Sequence, residues 1–165
     1  MARLQRTAMR GTLLVMLCAM PISCAEYAAS PSLQDALQEL HIGEPVMVET
    51  LLGSDVKAVC VLQPYQNQLT TRDGVADTLN AQIRAEALAA DEGHFIFAIA
   101  RKSALELERI KRSNQLDIFG LRQLPAGSSL PDHFVQAECS PVHTAAIVKI
   151  IYLERAYVVF GAIPR

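Results

Sequence analysis

Apolar positions recur along this chain with two periods, and the switches between them outline its elements. Ser32 with Asp35 three residues on resembles a capping box in which Asp stands in for Glu, and Leu33, Ala36, Leu37 and Leu40 follow at helical spacing. A short helix is predicted, ended by Gly43 and Pro45. Val46 to Leu51 and Val56 to Leu62 are compact β-forming runs separated by Gly53-Ser54-Asp55, the pattern of a hairpin with Cys60 in its second strand. After Pro64, Thr70 or Thr71 can cap a second helix with the stripe Val75, Leu79, Ile83 and Leu88. Alanines 76, 85, 87 and 89 fill its turns. Asp91-Glu92-Gly93 releases that helix into a strand from His94 to Ala100.

Ala104 to Lys111 satisfies both periods. Leu105 and Leu107 alternate with Glu106 and Glu108 as a strand requires, yet every residue type in the segment except Ile110 is a good helix former. The alternation favours a strand. From Ser113 to Pro131, apolar residues mix with Gly120, Pro125, Gly127, Ser128 and Ser129, which predicts a long, partly packed loop of the kind that often carries function. Phe134 to Cys139 reads as a strand and Ser140-Pro141 as a break. Thr144 to Leu153 and Ala156 to Ile163 read as a hairpin joined at Glu154-Arg155. The pattern contains no internal repeat. It predicts an α+β fold: a mostly antiparallel sheet of about six to seven strands with one main helix and a short N-terminal helix.

The first 25 residues follow a different logic. Arg3, Arg6 and Arg10 precede an apolar stretch from Thr12 to Met20, then Pro21 and the small-residue run Ser23-Cys24-Ala25. An apolar run of nine residues is too short to span a bilayer, which needs roughly 20, and the flanks are those of an export signal cleaved after Ala25. Residues 26–165 then form a single α+β domain that is secreted or periplasmic. Cys24, preceded by a small residue, offers the alternative of a lipid-bearing N-terminus and membrane anchoring, with Pro21 standing where such signals usually carry Leu. A membrane reading of residues 144–163 fails, because Lys149, Glu154 and Arg155 each cost about 2.5–3.5 kcal/mol near mid-bilayer against about 0.3–0.6 returned per apolar residue.

Export changes the meaning of the cysteines. Of the four, Cys18 leaves with the signal and Cys24 is removed or modified, so Cys60 and Cys139 remain as one disulfide. It closes a loop of about 80 residues, for which the chain-entropy relation gives on the order of 4 kcal/mol. Loss of the three arginines leaves a mildly acidic remainder from a chain of 15 basic and 17 acidic residues, the opposite of the basic excess that nucleic acid binding requires. Trp is absent and aromatics are sparse, which argues against carbohydrate platforms and base-stacking surfaces.

Candidate chemistry is thin. The residues after the signal contain no nucleophile elbow, metalloprotease helix or phosphate-cradling glycine loop. Cys139 and His143 form the single close pair with metal-ligand spacing, and an oxidised Cys139 cannot ligate, so neither metal nor cofactor is expected. Asp91, Glu92 and His94, with His133 and His143, are the acid/base groups a small envelope hydrolase could use, although Asp-Glu-Gly at a helix end is ordinary turn chemistry. Two loops have recognition character. Tyr65, Gln66 and Gln68 combine an aromatic ring with adaptable amides, unless Tyr65 packs over the disulfide instead. Arg109 and Arg112 run into Asp117 and Phe119, a basic patch meeting an apolar one, as a contact site for an acidic partner would. The expectation is a non-catalytic protein-binding domain, possible types being an inhibitor or immunity protein, with a small hydrolase or a structural lipoprotein anchored at Cys24 as alternatives.

Overall fold

The computed structural model describes residues 32–72, 74–120, 124, 128 and 130–164. The expected export signal and the alternative lipid site at Cys24 lie outside the described residues. Helix α1 (Leu33–Glu39) starts where its cap predicts: the Ser32 hydroxyl accepts the Asp35 amide at 3.2 Å and donates to the Asp35 carboxylate at 2.7 Å, while Leu33 and Leu37 are buried. Strand β1 is only Pro45–Met47, and the chain then turns into helix α2 (Val48–Leu52), so the strand expected through Leu51 is a strand followed by a helical turn. Val48, Leu51 and Leu52 fall at i, i+3, i+4, while Val46, Val48 and Leu52 also fit a period of two, and a run that short cannot separate the two. The hairpin expected with Val56–Leu62 is therefore absent: β1 pairs instead with a strand at the far end of the chain, Val46 opposite Ile147.

Strand β2 (Val56–Leu62) leads to helix α3 (Gly74–Ala85). The buried row of α3 is Ala76, Leu79, Asn80 and Ile83, with Val75 at its exposed margin, so the inward face lies one position round from the expected stripe. Asn80 belongs to that row because its amide closes both backbone groups of Leu69, accepting at 2.7 Å and donating at 3.1 Å. Thr70 and Thr71 do not cap the helix. Their amides, with the Thr70 hydroxyl, donate to the buried Glu138 carboxylate at 2.7, 2.6 and 3.0 Å. At the other end Ala87 takes φ +48° and the Leu88 amide reaches the Ile83 carbonyl, an αL stop that ends the helix before Asp91.

Strands β3 (His94–Arg101) and β4 (Leu105–Lys111) form an antiparallel pair, so the alternation in the ambiguous segment prevails. The long loop holds a two-residue strand, β5 (Asp117–Ile118). The run from Phe134 to Cys139 divides into β6 (Val135–Gln136) and β7 (Cys139–Pro141), so the expected break at Ser140-Pro141 is part of a strand. The division has a cause in topology: β6 pairs with one sheet and β7 with the other, and the chain crosses between them at Ala137-Glu138. Strands β8 (Ala145–Tyr152) and β9 (Arg155–Ala162) complete the fold as the expected hairpin, turning at Leu153-Glu154, one residue earlier than the pattern implied.

The molecule is α+β with two sheets. The first has the order β1-β8-β9-β5, with β6 also on β9, and the second has the order β4-β3-β2-β7; among the named strands the single parallel pairing is β5 with β9. The sheets face one another through Val59, Val61, Phe95, Phe97 and Ile99 on one side and Ala145, Ile147, Val158 and Phe160 on the other, with Phe97 and Phe160 in an edge-to-face contact at 6.1 Å. Alpha-helix α3 covers the back of the second sheet through Leu79 and Ile83. The back of the first sheet is covered by Phe119, Leu124, Leu130 and Phe134, so these three described residues of the long loop pack on the sheet beside Phe134. Gly161 permits that closeness, since a Cβ there would strike the Val135 carbonyl and the Phe134 ring. Cys60 and Cys139 are directly opposite in β2 and β7 and are joined as the disulfide. No helix among the described residues is long and apolar enough to cross a membrane.

Candidate functional site

Two turns of unusual composition flank one open cleft. The first follows β2: Gln63 to Gln66 form a four-residue turn closed by the Gln66 amide on the Gln63 carbonyl at 3.0 Å, with the Gln66 side chain accepting the Gln63 amide at 2.7 Å. Pro64 suits its second position, and Tyr65 occupies the third at φ +69°, where this kind of turn ordinarily takes Gly. The Tyr65 amide is held on the Ala90 carbonyl at 2.7 Å, yet its side chain is 73 % exposed. Tyr65 therefore does not pack over the disulfide. The second turn is Leu153-Glu154 at the tip of the β8–β9 hairpin, with φ +48° and +61°. Two positive φ values in a two-residue hairpin define a type I′ turn, where Asn-Gly is the usual pair. Leu153 is 79 % exposed and is flanked by exposed Ile151 and Tyr152.

Between these turns the cleft floor is an ion-paired triad. Asp117, 1 % exposed, receives Arg112 through Nε at 2.6 Å and Nη2 at 2.9 Å, and Arg155 through Nη2 at 3.0 Å. Arg112 also donates to the Glu92 carbonyl at 2.6 Å, and Arg155 to the Ser113 carbonyl at 3.1 Å. The hydrogen bond to Asp117 is the main cause holding the Arg112 guanidinium more firmly protonated than usual. Both arginines remain partly exposed, so the acid lies beneath and the cationic edges lie above. Phe119 stands edge-on to Tyr152 at 6.5 Å and Tyr157 at 5.6 Å, and the Arg155 guanidinium lies 5.8 Å from the Tyr157 ring centre. The end of the Gln63 side chain packs against Gly120 and so joins the two loops. The resulting cleft has a volume of about 490 Å³.

Of the residues singled out in the sequence, Tyr65, Arg112, Asp117 and Phe119 converge on this cleft. Three do not. Gln66 is occupied inside its turn, Gln68 lines a separate depression beside Arg72 and Arg84, and Arg109 points to Asp91 at 3.6 Å. Tyr152, Leu153, Arg155 and Tyr157 were not singled out, because on an alternating strand they read as ordinary sheet residues. The one available signal was a Leu-Glu pair where a tight hairpin turn wants Asn-Gly.

Asp91, Glu92 and His94 share one turn, while His133 and His143 lie in two others. Asp91 and His94 are in contact at 2.8 Å, and that hydrogen bond is the leading cause holding the exposed Asp91 carboxyl below its ordinary range. A carboxylate made less basic is a poorer general base. His133 precedes β6 and His143 lies in the β7–β8 turn, and among the described residues no hydrogen bond or ion pair joins either to Asp91. No group of three or more His, Cys, Asp or Glu that could hold a metal occurs among the described residues. Compared with known protein families, with curated proteins and with solved structures, the chain matches none.

Proposed function

We propose that this chain is an exported, non-catalytic protein-binding domain, of the inhibitor or immunity type, that meets its partner with the Tyr65–Arg155 cleft and the adjoining hairpin tip. One observation carries the reading. Tyr65 and Leu153 are the two most exposed large apolar side chains among the described residues, and both are held at positive φ in tight turns beside the same cleft. Such a backbone position costs a non-glycine residue of order 1–3 kcal/mol, and an exposed side chain recovers none of that by packing. Folding therefore does not account for Tyr and Leu at these positions, whereas presentation of anchors to a partner does. The two packed sheets behind them supply the rigidity that keeps such anchors pre-organised.

The test is capture from an envelope extract of the producing cell by the oxidised protein, repeated with Tyr65→Ser and Leu153→Ser. One dominant protein retained by the native chain and lost with both variants is expected. Recovery of no partner, or of the same partner by all three proteins, overturns the proposal.

A further inference from the structure

We infer that the partner inserts an aspartate or glutamate side chain, flanked by apolar residues, into the cleft between Tyr65 and the β8–β9 hairpin. The inference rests on the binding reading above and adds the chemistry of what is bound. The cleft is charged unevenly in depth: Asp117 is buried at its floor, while Arg112 and Arg155 keep part of their guanidinium groups at the surface. The Arg155 Nε and Nη2 are directed to Ser113 and Asp117, and its Nη1 has no hydrogen-bond partner among the described residues. Around it stand Tyr65, Tyr152 and Tyr157, and Tyr65 and Tyr157 lie close enough to Arg112 to act on its charge.

An approaching group thus meets hydrogen-bond donors and a cation in a cleft walled by rings, and the acceptor of matching charge is a carboxylate. Exposed Tyr65 and Tyr152 line the cleft and Leu153 follows Tyr152 at the hairpin tip, an apolar row beside the cations, so the acid must come on a chain that also carries apolar side chains. A free small acid would leave that row uncovered. A protein segment covers both.

The experiment pans a random-peptide display library on the native oxidised protein, then measures the enriched peptide and its Glu→Gln or Asp→Asn counterpart in solution. Peptides with an acidic residue beside apolar ones are expected, and the amide counterpart should bind at least about tenfold more weakly. That difference should shrink to near unity on Arg155→Gln, while Tyr65→Ser weakens both peptides. The amide comparison on the native protein needs no variant to fold. Enriched neutral peptides that respond to Tyr65→Ser would overturn the carboxylate inference and leave the binding reading standing. Enrichment of nothing, or of peptides indifferent to both Tyr65→Ser and Leu153→Ser, would overturn both. Competition by N-acetylglutamate amide at the peptide's own affinity would assign the cleft to a free acid and overturn the inference.

Discussion

Arg112 grips Asp117 with two of its nitrogens, at 2.6 and 2.9 Å, and covers a carboxylate that is otherwise sealed from solvent. Removing one partner of a buried pair leaves the other uncompensated, which costs more than the pair contributes. Asp117→Ala should lower stability by about 3 kcal/mol, since Arg112 and Arg155 both lose their counter-charge. Urea unfolding of the oxidised protein measures it, and a change within experimental error would show that the triad is not organised as described.

The hairpin tip predicts the opposite sign. Replacing Leu153-Glu154 with Asn-Gly places residues suited to positive φ in the type I′ turn and should raise stability by about 1–2 kcal/mol. The same double substitution should abolish partner capture. A variant that is more stable and still captures the partner would show that the tip is not a contact.

Cys60 and Cys139, separated by 79 residues, tie the three-residue strand β7 to the centre of the second sheet. Cys60→Ala with Cys139→Ala should cost up to about 4 kcal/mol on the chain-entropy relation. Thiol labelling of the native protein should give no signal at either position until a reductant and denaturant are added together. Free thiols in the folded molecule would remove the staple from the account.

Glu108 supplies a pH dependence. Burial, and then the like charge of Glu106, raise its carboxyl above the ordinary range, with Arg101 acting the other way. Because the folded form holds this proton more tightly, the contribution to stability falls as pH rises from the ordinary glutamate range through the raised value. Glu108→Gln should therefore raise the melting temperature at neutral pH, and the gain should vanish in acid, where both forms are uncharged. A gain that persists unchanged below the ordinary glutamate range would point to packing instead of charge.

Much of the fold was legible because local and tertiary preferences agreed. Ser32 with Asp35 marked a helix that forms there, the alternation through Leu105–Lys111 outweighed helix propensity, and the two apolar runs after Thr144 made the expected hairpin. The misses came where partners lie far away in sequence. Nothing local tells Met47 to stop pairing and Val48 to coil, because the strand that β1 joins is about 100 residues on. Ala137-Glu138 changes sheets inside what reads as one β-forming run. At the cleft, an aromatic among amides and a basic patch next to an apolar one were visible at Tyr65 and Arg112. Tyr152, Arg155 and Tyr157 were hidden by the strand pattern, since periodicity reports which residues share a face and not which end of that face stays open.

The bridge between sulfurs belongs to one sheet and the protruding Leu153 to the hairpin of the other, with an apolar interior between them. What keeps the molecule folded and what it offers to its surroundings are thereby housed in different layers. Four residues, from Ile151 to Glu154, can be exchanged without touching the covalent fastening, which makes the tip a natural place for specificity to drift or to be redesigned.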